Sequence, residues 1–209
     1  MAGPRIVTGR AFERLISFSD GVSAVAITLL ALPLVSIGRP EGDDTVWVLI
    51  GANIGTILGF AITFVVVAIM WRVHTRVFQS LRGYDGTILA LNTLWLALLV
   101  MLPWATSMFG SAGNSLYQGG EGLAGTGLFY WGLMSALSAI TAAIVWHAAR
   151  VPGLLEEGEV PTPVRGLIFA ATFLAIGIAS VFWPLVAAFL PIAFVVVGPL
   201  ADRLTRRPE

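Results

Sequence analysis

Residues 14–34 read RLISFSDGVSAVAITLLALPL. The run is long and apolar enough to cross a bilayer, since a helix needs about 20 mostly apolar residues to span the hydrocarbon core. Its apolar stretch after Asp20 exceeds the roughly 7–15 residues of a secretion signal, so it reads as a retained membrane helix. Asp20 lies inside the first turns of that helix. A carboxylate within a spanning segment costs about 2.5–3.5 kcal/mol on insertion scales, which makes Asp20 a functional or anchoring position by default.

The rest of the chain has the same character. Of 209 residues, 57% are hydrophobic and only 11% charged, which excludes a soluble domain and defines an all-α, polytopic membrane protein. Six spans are expected, at approximately 16–37, 46–70, 86–107, 127–149, 166–182 and 184–201, in one transmembrane domain over residues 1–209. The last two come from one long apolar stretch divided at Phe182-Trp183-Pro184, because proline lacks an amide donor and starts helices well. The linkers are 38–44, the glycine-rich 110–125, and 152–163 with its glutamates between prolines.

Charge placement then gives orientation. The twelve basic residues are all arginine and balance twelve acids, so nothing points to nucleic acid. With six spans, eleven arginines share one side and only Arg39 falls on the other. The positive-inside rule therefore places both termini in the cytoplasm. Cysteine is absent, which removes disulfides and thiolate chemistry. The arginine-only basic set and the wealth of Ala, Gly, Val and Pro suggest a bacterium with a GC-rich genome, and hence the inner membrane.

On a straight helical wheel Phe18, Gly21, Val25, Leu29 and Leu32 fall within about 40° of one line, with Arg14 at the base and Thr28 at the flank. Asp20 points roughly opposite. The arrangement Arg14, three residues, Phe18-Ser19-Asp20, then an apolar helix carrying Thr28 and Pro33, resembles the first-helix signature of the transmembrane protein 175 family of potassium channels. Trp71, His74 and Phe78 resemble that family's second-helix pattern, and Asn92 with Pro103 its third. The resemblance covers the first half of the chain.

That resemblance implies a single six-helix subunit of a homotetramer whose first helices line a passive, potassium-permeable pathway. It implies a constriction of apolar side chains, with Val25 as the narrowest ring, Leu29 and Leu32 above it and Thr28 as a polar selectivity layer. Isoleucine or leucine is the more usual residue at the Val25 position. No Thr-Val-Gly-Tyr-Gly stretch occurs, so a ring of backbone carbonyls is not expected to select the ion. Arg14, Phe18, Ser19, Asp20, His74 and Asn92 are expected to form a supporting network, with Asp20 hydrogen-bonded to His74, Asn92 or an arginine because an unpaired carboxylate is costly in a water-poor setting. The partners are then other copies of the chain, lipid and permeating potassium ions, with no cofactor.

The other polar residues have plainer readings. One histidine and one carboxylate fall short of a metal-ligand set, and no nucleophile or phosphate-loop motif occurs, so an enzyme is not expected. His147, after Trp146, reads as an interfacial residue. Gly51, Gly55 and Gly59 have the spacing of a close helix contact. The competing functional reading is a proton-coupled transporter or proton leak using Asp20 and His74 as a relay.

Overall fold

Helix formation follows the apolar runs, and its interruptions follow proline and asparagine. The structure, a computed structural model, describes residues 5–40, 42, 45–117, 123–156 and 162–183. The expected span 184–201 lies outside them. The elements are β1 (Val7–Thr8), α1 (Arg10–Leu29), α2 (Leu32–Val35), α3 (Val46–Ala52), α4 (Ile54–Gln79), β2 (Gly83–Tyr84), α5 (Gly86–Tyr117), α6 (Leu123–Ala148) and α7 (Pro163–Phe182). Among the described residues five helical stretches are long and apolar enough to cross a membrane: Arg10–Val35, Ile54–Gln79, Gly86–Asn114, Gly125–Ala148 and Pro163–Phe182.

Three boundaries differ from those read from hydropathy. The first expected span, 16–37, starts earlier, at Arg10, and breaks after Leu29. Pro33 has no amide proton to give, and its ring crowds the carbonyl four residues back, at Leu29; the chain takes tighter turns there, with Leu30 and Ala31 amides bonding to Ile27 and Thr28 carbonyls. The second, 46–70, is two helices divided at Asn53, whose side-chain amide donates to the Leu49 carbonyl at 2.9 Å and so competes with the backbone ladder. The latter helix, α4, continues to Gln79 because His74, Val77 and Phe78 keep burying one face while Arg72 and Arg76 stay exposed, a pattern that averaged hydropathy misses.

The third correction concerns 110–125, read as a linker. Residues 110–117 instead prolong α5 across α4. A Cβ on Gly55 would lie 2.5 Å from the Asn114 amide nitrogen, and one on Gly110 would lie 2.8 Å from Thr56 Cα. Backbone-to-backbone contact thus offsets the poor helix propensity of these glycines. Asn114 secures the crossing, accepting from the Thr56 amide and donating to the Thr56 hydroxyl. Gly51 takes no part; it lies in α3 with open space around it.

In the bundle α1 packs on α4 and α5, α5 on α6, and α6 on α7. Trp95, Trp131, Tyr130, Phe78 and Phe173 fill the interior. A polar cluster lies deep within it: Thr63 donates to the Gly59 carbonyl, takes a hydrogen bond from Thr106, and pairs with the Tyr130 hydroxyl at 2.7 Å. At one end the chain knits three segments together. β1 pairs antiparallel with β2, Val7 opposite Tyr84, while the Arg82 amide donates to Leu154 and the Glu156 amide to Ser80. The segment before α1, the α4–α5 turn and the segment after α6 therefore share one side of the bundle.

Candidate functional site: the open face of α1 and its anchor

One face of α1 is buried and the other is bare. The buried line is Phe12, Ser19, Ser23 and Ala26, continued by Leu30. Its small central residues let α1 sit close to its neighbours. The opposite line is the apolar stripe: Phe18 is 63% exposed, Val25 60% and Leu32 59%, with Gly21 exposed and Leu29 half-buried. Phe18, Gly21, Val25 and Leu29 form with Val100 of α5 a groove of about 540 Å³. Leu32 lies beyond the break at Leu29, on α2, so it does not continue a straight helix as the wheel assumed. Thr28 is exposed, and its hydroxyl donates to the Ala24 carbonyl at 2.8 Å. That bond occupies its proton, which leaves the oxygen lone pairs turned outward as acceptors.

The anchor is smaller than expected and its acidic residue sits elsewhere. Ser19, rather than Asp20, joins His74 and Asn92. Asn92 Nδ2 donates to Ser19 Oγ at 2.9 Å, and Ser19 Oγ donates to the Leu15 carbonyl. Asn92 Oδ1 can only accept, so His74 Nε2, 3.0 Å away, carries the proton. All three are buried, at 2%, 3% and 0% exposure for Ser19, His74 and Asn92. The imidazole is held between two aromatic rings, with Trp95 at 4.1 Å and Phe78 at 4.4 Å between centroids. Asp20 is one residue on, about 100° around the helix. It faces α4 at a half-buried site and accepts the Trp71 indole N–H at 2.9 Å. His74, by contrast, is engaged by Asn92. Arg14 is exposed and makes no ion pair among the described residues, and Phe18 belongs to the bare stripe, so neither joins this network.

A second polar link was not read from the sequence. Asp85 is the N-cap of α5: Oδ1 accepts the Ile88 amide at 2.9 Å, three residues on as capping requires. Oδ2 accepts from His147 Nε2 at 2.7 Å, which ties the last turn of α6 to the first of α5. Asp85 is buried, and desolvation pushes its carboxyl up, but the hydrogen bond and electrostatic attraction of His147 together with the Ile88 and Thr87 amides outweigh this and hold it below the ordinary carboxylate value. His147 is thus more than an interfacial ring. An aspartate just before an apolar helix is a legible cap signal; its partner 62 residues away is not.

Residues 14–103 match the family described as endosomal/lysosomal potassium channel TMEM175. A potassium channel of Streptomyces collinus is 30% identical over 173 residues, 82% of this chain and 79% of that protein. The chain belongs to the TMEM175 family. Another member, a potassium channel of a Chryseobacterium species, is 34% identical over 99 residues, 47% of this chain and 49% of its own. The human endosomal/lysosomal proton channel TMEM175 is 28% identical over 148 residues, 69% of this chain but only 27% of the human protein. The chain therefore spans about half of the Chryseobacterium relative and about a quarter of the human one. The fold is that of a TMEM175 homologue from Chamaesiphon minutus, with a TM-score of 0.67 at 23% identity over 90% of this chain and 98% of that one. The all-α membrane architecture of the TMEM175 fold is thereby established.

Proposed function

We propose that this TMEM175 protein is one six-helix subunit of a homotetrameric, potassium-permeable cation channel of a bacterial inner membrane, with cytoplasmic termini and no enzymatic activity. The observation that carries the reading is the bare stripe of α1 opposite a face fixed by Ser19, Asn92 and His74. A single α1 encloses nothing, so copies assemble around an axis with these stripes inward. Apolar rings of Val25, Leu29 and Leu32 then constrict the pathway and gate it by dewetting. Thr28 offers a ring of hydroxyl oxygens to a partly dehydrated ion. The names of the bacterial relatives as potassium channels support this reading.

A proton pathway through Asp20 and His74 fits the geometry less well, although the human relative is named a proton channel. The two side chains have separate partners, and the imidazole is sealed between Trp95 and Phe78. Planar-bilayer recording of the purified protein tests both. Under bi-ionic potassium and sodium, Val25→Ala is expected to raise conductance several-fold, and Thr28→Val to shift the reversal potential towards lower potassium preference. Unchanged current and selectivity in both assembled variants would overturn the assignment of α1 to the pore. A reversal potential that follows the proton gradient alone would favour the proton pathway.

A further inference from the structure

The outward side of α6 ends in a cation held ready for an anionic group. Ala136, Ala139, Ala143 and Trp146 follow one another at intervals of three and four residues, so they line one side of the helix, and Arg150 follows in the turn just past its end at Ala148. Ala139, Trp146 and Arg150 are exposed, Trp146 by 53%, and a Cβ added at the preceding step, Gly132, would meet nothing within 4 Å. Such small side chains select no ligand by themselves. What selects one is the Arg150 guanidinium, whose central carbon lies 3.4 Å above the centroid of the Trp146 ring. Stacking holds the planar fork in place and leaves its N–H edge free to meet oxygen atoms two at a time.

No acid competes for that edge among the described residues. Asp85, the cap of α5, is engaged by His147 of the last turn of α6 and by the amides of α5. Glu156 is drawn towards the α4–α5 turn by its amide bond to Ser80 and makes no ion pair with Arg150. The pair also lies at the end of a membrane span, Gly125–Ala148, where tryptophan settles at the level of lipid headgroups. We propose that Trp146 and Arg150 form a headgroup site for an anionic phospholipid, its phosphate bound bidentately by Arg150 and its acyl chains lying along the alanine side of α6. The complementarity of charge at headgroup level, above an apolar face, commits the site to lipid rather than to a soluble anion.

Native mass spectrometry of the detergent-solubilised protein, titrated with phosphatidylglycerol or phosphatidylcholine, provides the test. Wild type is expected to retain phosphatidylglycerol in preference, and Arg150→Ala to weaken that retention roughly tenfold, the scale of one charge-assisted bidentate contact. Trp146→Ala and Arg150→Lys should fall between, because each keeps the charge and loses the stack or the fork, and Arg39→Ala should match wild type. Arg150→Gln replaces the alanine variant if that one fails to assemble. Equal retention of the two lipids by wild type, or of phosphatidylglycerol by wild type and the Arg150 variants, would overturn the proposal. Displacement of the lipid preference by millimolar inorganic phosphate would overturn it too, by showing a site for a free anion.

Discussion

At the scale of single residues, the buried network and the half-exposed one should respond differently to mutation. Asn92→Leu leaves the His74 Nε2–H without its acceptor and Ser19 without its donor inside the bundle. Unpaired buried groups cost about 1–3 kcal/mol each, so this variant should lose most of its assembled protein and melt at a clearly lower temperature. Asp20→Asn keeps an oxygen for the Trp71 indole at a half-buried site, and its melting temperature should stay close to wild type. If size-exclusion profiles and melting rank the two in the opposite order, Asp20 rather than Ser19 is the anchor. Asp85 gives a pH prediction. Its carboxyl is held below its ordinary value, so its stabilisation is complete above about pH 4 and is lost as pH falls through the lowered native value. Asp85→Ala should destabilise the protein by about 1–2 kcal/mol at neutral pH, the range of a lost cap, and should flatten the decline of melting temperature on acidification below pH 4. Melting curves in one detergent across that range measure both effects.

Among elements, the α4–α5 crossing is set by glycines rather than by large side chains. Gly55→Ala places a methyl group against the Asn114 backbone, and only separation of the helices relieves that clash. Overpacking of this kind costs about 1–3 kcal/mol, so the variant should melt lower than wild type. Gly51→Ala adds a methyl in open space and improves helix propensity, so its melting temperature should be unchanged or slightly raised. Equal losses at both positions would mean that α3 also packs closely. Spacing alone made these glycines equivalent, because it carries no information on where Asn53 breaks the helix.

For the whole molecule, the knit of β1, β2 and the segment after α6 fixes which connections share a side. The chain has no cysteine, so single substitutions report directly. In vesicles of known sidedness, a membrane-impermeant maleimide should reach Thr87→Cys and Glu156→Cys from the same side and Arg39→Cys from the other. Labelling of Arg39→Cys together with Glu156→Cys would break the alternation of spans. Cytoplasmic access to Thr87 and Glu156 would establish the orientation inferred from the arginines.

Hydrophobicity and charge placement are sums over residues, so the sequence by itself determined the membrane class, the approximate places of the described spans and the expected sidedness. The pattern of Arg14, Phe18, Ser19 and Asp20 pointed to the TMEM175 family, and the wheel named the stripe of α1 that the fold leaves uncovered. Contacts between distant segments are not sums, and these the tertiary structure decided. Whether Ser19 or Asp20 meets Asn92 depends on about 100° of rotation about one helix, which only the packing of α1 on α4 and α5 sets. Asp85 finds His147, and Thr63 finds Tyr130, because buried polar groups must be paired wherever the fold brings donors and acceptors within reach. A glycine run becomes a helix crossing instead of a loop for the same kind of reason: its partner surface exists only once α4 and α5 have met.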